Sequence, residues 1–137
     1  MADNDLDSAI EQSHAALAAI LKGDPSVYKA LYSDRDDVTL GNPFGPYARG
    51  RRKVEETLDR AASNYRGGGS TGIELVAKYV SNDLACIVEV ERGRSKVGGA
   101  KELASVAVRV MSGFVGRLAT GTLRRVEENG SVKVPSE

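Results

Sequence analysis

His14 is the only histidine in a chain of 137 residues, which makes it the first place to look for proton transfer near neutral pH. It follows Ile10 by four residues and precedes Leu17 by three, so on a helix it shares their apolar stripe. Two readings follow: a hydrogen-bonded histidine of the core, or a proton donor and acceptor facing a cavity. Asp34, Asp36 and Asp37 surround Arg35 in an acidic turn. Such a turn is either solvated, closed by an Asx bond or a cap, or it presents one carboxylate, Asp37, as a general base. The second role needs burial to raise the carboxyl pKa. No set of His, Cys, Asp and Glu has the spacing of metal ligands, so neither a metal nor another cofactor is expected. The run Gly67-Gly-Gly-Ser-Thr-Gly72 lacks the lysine of a phosphate loop and follows a helical segment, so it reads as a flexible turn.

Composition narrows the setting. A hydrophobic fraction of 41% and a charged fraction of 28% are those of an ordinary globular domain. Lys+Arg and Asp+Glu are both 19, so no basic excess points to nucleic acid beyond Arg49, Arg51 and Arg52. Zero net charge mildly favours self-association. A lone cysteine, Cys86, excludes a disulfide within the chain and suits a reducing compartment. In the apolar run Leu84–Val88 it reads as a buried strand residue rather than a reactive thiol. The first residues are acidic and unlike a leader peptide, and no apolar run reaches the ~20 residues that cross a bilayer. A cytoplasmic protein that binds neither nucleic acid nor membrane is expected.

The elements that would position these side chains come in a clear order. Leu6, Ile10, Leu17, Ile20 and Leu21 recur at helical spacing, with Gly23 ending the helix. Asp24 caps a short second helix with Pro25 in its first turn. Val38–Leu40 is a short strand, and the loop 41–50 is rich in Gly and Pro. A third helix runs from Arg51 to Tyr65 with Val54, Leu58, Ala61 and Ala62 inward. Strands follow around Ile73–Lys78, Leu84–Glu91 and Leu103–Val110, each read as half-buried, with turns at Asn82-Asp83 and Gly98-Gly99. Helices first and a strand meander last argue an α+β domain with helices on one face of an antiparallel sheet. A single domain over 1–130 and a frayed tail at 131–137 are expected.

The segment from Leu31 to Gly50, with its Asp36-Asp-Val38 turn and Gly-Asn-Pro-Phe-Gly loop, resembles the SnoaL-like branch of the NTF2-like (cystatin-like) proteins. Val54, Leu58 and Ala62 fit the helix that follows that loop in the family. The resemblance covers residues 5–112. It implies a cone of sheet around a long helix, an apolar pocket at its open end, and dimers through the sheet. The family holds polyketide cyclases, isomerases, dehydratases and proteins without activity, so fold does not carry function across. Beyond Gly113 the chain departs from the family, with no Trp anywhere and no His after His14. Read one base out of frame, the codons of Phe114–Gly116 can spell Arg-Arg and those of Leu118–Gly121 can spell Gly-Asp-Trp, the family's turn at this point. Simple divergence is the other reading, and the gene sequence separates the two.

By the same resemblance, Asn42, Phe44 and Tyr47 lie beside the pocket mouth, where Asn42 would donate a hydrogen bond and the two rings would pack on a ligand. The alternative is that the rings only anchor the loop. Tyr32 and Tyr65 read as core tyrosines whose hydroxyls seek a partner, with a ligand as one candidate. Arg109 alternates with Val108 and Val110, and points to solvent or, on a concave face, to an anionic ligand group. Three functions fit. The first is a protein that binds a small apolar or carbonyl-bearing molecule without assured catalysis. The second is a cyclase- or isomerase-type enzyme that abstracts a proton next to a carbonyl, with His14 or Asp37 as base and Tyr32 or Asn42 as donor. The third is an interaction module, an addition to either, in which Val106, Val108 and Val110 expose an apolar sheet face to a second copy.

Overall fold

The computed structural model describes residues 3–41, 47–117 and 122–133. Helix α1 (Asp3–Ile20) lays Leu6, Ala9, Ala16, Leu17 and Ile20 against the sheet, as its apolar stripe requires. It ends where Gly23 takes a left-handed φ of 94°, while the Gly23 N–H donates to Ile20 O at 2.8 Å. Asp24 then accepts the Ser26 N–H at 2.9 Å, and helix α2 (Ser26–Leu31) starts one residue after the expected Pro25. The hydrogen bonds from Ser26, side chain first and backbone second, hold the Asp24 carboxyl below its ordinary value. Strands β1 (Thr39–Leu40) and β2 (Ala48–Arg49) form a small ladder of their own. Helix α3 (Arg51–Ser63) buries Val54, Thr57, Leu58 and Ala62.

The main sheet has four antiparallel strands in the order β3-β4-β5-β6: β3 (Tyr65–Val80), β4 (Leu84–Val97), β5 (Ala104–Arg117) and β6 (Thr122–Lys133). The helices sit on one face of this sheet, so the architecture is α+β as expected. Beyond Gly113 the described residues continue β5 to Arg117 and form β6, which pairs along β5.

Three expectations need correction. Tyr65 begins β3 instead of ending α3, because Asn64 turns the chain and its N–H donates back to Ala61 O. The glycine run is not a turn. It lies inside β3, whose register shifts between Arg66 and Gly69 and again between Ser70 and Gly72. Glycine is needed there because a Cβ on Gly68 would collide with the Arg94 carbonyl oxygen, so the two backbones approach more closely than any side chain allows. Third, Val106 and Val110 are buried under the helices and do not form an exposed face; the Val108 side chain lies outside the described residues.

Candidate functional site

Strand β4 turns the unexpected set of side chains inward. Ala85, Ile87, Glu89, Glu91 and Ser95 are buried, whereas Cys86, Val88 and Val90 are only half-buried and Arg92 and Arg94 are exposed. Two carboxylates therefore lie on the face that packs against α1, Glu89 at 5% exposure and Glu91 at 3%. Read over the whole strand, the inward set ends in Gly93 and Ser95 and the outward set in Arg92, Arg94 and Lys96. That difference in the last residues was the available sequence signal. An eight-residue window, in which Val alternates with Glu, hides it.

The consequence is a core cut in two. Leu6 and Ala9 of α1 pack with Ala85, Ile87 and Phe114 as one apolar cluster. Ala16, Leu17, Ile20 and Leu21 pack with α2, α3, Tyr65 and Val106 as another. Between the two clusters, α1 presents Ser13 and His14, and β4 presents Glu89. Ser13 turns its hydroxyl back to Ile10 O at 2.7 Å. His14 Nε2 lies 3.0 Å from one Glu89 carboxylate oxygen and 3.1 Å from the other. With the proton on Nε2, the ring donates to the carboxylate.

Burying a carboxylate costs several kcal/mol after relaxation, and a single well-placed partner offsets part of that. The His14 side chain keeps 31% of its surface in water, so the pair is screened on one side. Across the ladder, Val110 opposite Glu89 and Ser112 opposite Ile87 are both buried. On the other side Glu89 pairs with Leu75 of the edge strand β3, which is 56% exposed. Residue by residue, the seam holds an acceptor, a proton-carrying ring and an apolar rim.

The other candidates are dispersed. Asp37 is 55% exposed and pairs with Arg35 at 3.5 Å, so the burial that a general base needs is absent there. Tyr32 is fully buried beside Tyr28, with ring centroids 6.4 Å apart, and its carbonyl accepts from the Arg51 guanidinium at 2.8 Å. Tyr65 is buried, and that burial pushes its hydroxyl up to about 12. Tyr47 stands 65% exposed. Asn42 and Phe44 lie outside the described residues, as does the Arg109 side chain, whose backbone pairs with Val90 and Ser131. An open cleft of about 500 Å³ at the start of α3 is lined by Asp36, Arg49, Gly50, Arg51, Arg52 and Lys53, mostly residues with charged side chains. Two of those arginines are spoken for: Arg51 pairs with Glu55 at 2.7 Å and Arg52 with Glu56 at 3.2 Å. Among the described residues, no three His, Cys, Asp or Glu side chains cluster to hold a metal, and no helix is long and apolar enough to cross a membrane.

No family model matches the chain, and no curated protein matches it significantly. Solved structures do match. A ketosteroid isomerase-like protein from Erwinia carotovora atroseptica superposes with a TM-score of 0.76 at 19% identity, over 98% of this chain and 100% of that one. An NTF2-like superfamily protein from Salmonella enterica serovar Typhimurium gives 0.73 at 14% identity, over 98% and 91%. A protein with a cystatin-like fold from Caulobacter vibrioides gives 0.68 at 14%, over 96% and 89%. The chain has the NTF2-like, cystatin-like fold. At these identities the likeness shows the fold alone, and what the site does must be argued from its own residues.

Proposed function

We propose that this chain binds a small apolar or carbonyl-bearing molecule between the helices and the sheet, with the molecule's polar end at the seam formed by His14 and Glu89. The observation that carries the reading is the division of the core. A domain that needed only stability would fill this layer with apolar side chains, which is often neutral or more stable than a buried ionic pair. Buried polar groups that break the local rule are characteristic of sites. Native mass spectrometry of the purified chain, repeated after denaturation, tests it. A small molecule held in the native spectrum and released on denaturation is the expected result. A ligand-free native spectrum that stays unchanged across a library of small apolar molecules and ketones overturns it. The same reading includes a homodimer through the outer face of the sheet.

A second reading, favoured by the contact between His14 and Glu89, is a proton-transfer enzyme. A carboxylate and an imidazole that meet across the helix–sheet interface can take a proton from carbon next to a carbonyl and return it elsewhere. The isomerase-like name of one structural neighbour is consistent with such chemistry. Protein-dependent exchange of deuterium into the α-position of an added ketone, lost in Glu89→Gln, is the expected outcome; exchange no faster than in buffer removes this reading and leaves the binding one.

A further inference from the structure

We infer that the group meeting Glu89 is a hydroxyl, so that the ligand is an apolar molecule bearing an O–H donor. The inference rests on the binding reading above and narrows it to a chemical class. A carboxylate only accepts hydrogen bonds, and its two oxygens offer about four lone-pair positions. Among the described residues a single nitrogen, His14 Nε2, approaches both oxygens. A carbonyl oxygen brought to the same carboxylate sets lone pairs against lone pairs. A hydroxyl brings the proton that a carboxylate lacks, and hydrogen bonds to a charged acceptor are the stronger kind. His14 does not reverse the preference, because its Nε2 is already turned toward Glu89.

The same geometry says how the ligand arrives and what shape it has. Glu89 itself is nearly closed to water, but its neighbours on one side are not: the His14 side chain is a third exposed, and Leu75, paired with Glu89 on the edge strand, is more than half exposed. The seam therefore meets solvent between α1 and the edge of β3. An arriving molecule lays its apolar body on Leu75 and points its O–H at the carboxylate. The bond replaces water that the buried carboxylate has lost, so binding and relief of desolvation coincide.

The probe is 2-naphthol, compared with 2-methoxynaphthalene and 2-acetylnaphthalene, which have similar rings but no O–H donor. Fluorescence titration of the whole chain gives the three affinities. The expected result is binding of 2-naphthol about tenfold or more tighter than either comparison probe, a preference that Glu89→Gln abolishes. The comparison on the unaltered chain needs no variant and stands even if Glu89→Gln fails to fold. Equal or tighter binding of the methoxy or acetyl probe overturns the hydroxyl preference while leaving a binding site in place. A preference that survives in folded Glu89→Gln overturns the role of Glu89. If no naphthyl probe binds, the inference fails alone when native mass spectrometry finds another ligand, and fails together with the binding reading when it finds none.

Discussion

A carboxylate that loses its water needs a replacement, and Glu89 has His14. The two side chains should therefore behave as a unit when they are replaced. His14→Leu leaves the Glu89 charge buried without its partner, and unfolding in urea should show a loss of about 3 kcal/mol, at the lower end for buried pairs because His14 is partly exposed. Replacing both, His14→Leu with Glu89→Leu, joins the two apolar clusters into one and should return stability to the starting value or above it. If the double variant is no more stable than His14→Leu alone, the seam serves packing and the functional reading loses its main support. Tyr65 gives a second expectation at this scale. Its folded pKa, raised to about 12, lies above the unfolded value of 10.0. The contribution is thus fully present below pH 10 and is lost as pH rises toward 12, by up to about 3 kcal/mol. Stability measured across that window should fall in the parent chain and flatten in Tyr65→Phe.

Single elements show what the sequence could and could not convey. Helices were legible because their signals are local: a stripe at helical spacing, Gly23 at the end of α1, Asp24 before α2. The faces of β4 were not, since a two-residue period names two sets of side chains without saying which is inside. The usual rule sends Val88 and Val90 in and Glu89 and Glu91 out, and the fold does the reverse, leaving the valines half-buried on the other face. The glycine run failed for a related reason. Local chemistry reads three glycines as a turn, but their use depends on Arg94 and Leu21, residues distant in sequence that the backbone must approach. Gly68→Ala should force β3 away from β4 and cost about 1–3 kcal/mol or more in thermal unfolding. At Gly69, where a Cβ would meet nothing within 4 Å, the same change should be neutral or stabilise by about 0.5–1 kcal/mol. Equal effects at the two positions would show that the irregular start of β3 is not set by close backbone approach.

At the scale of the molecule, the sheet has two faces of different character. Its inner side faces the helices, and its outer side carries exposed Tyr79 and Met111 in one patch with half-buried Cys86, Val88 and Val90. Register puts these together: Tyr79 pairs with Cys86, and Val88 lies between Ala77 and Met111. Outward valines are what a strand carries when both its faces are covered, which connects the inverted pattern of β4 to the proposed homodimer. The order of elements is enough to read the α+β class, yet it says nothing of this patch, because a half-buried strand does not declare which of its two faces is covered. Met111 lies near the middle of the face and is the position to test. Sedimentation of the parent chain should give a dimer, and Met111→Glu should shift it toward monomer by setting a charge in an apolar contact, weakening association about tenfold or more. Binding of 2-naphthol should be retained in that variant, since Glu89 faces the opposite side of the sheet. A parent chain that sediments as a monomer removes the dimer from the proposal; a dimer indifferent to Met111→Glu places the contact elsewhere on the molecule.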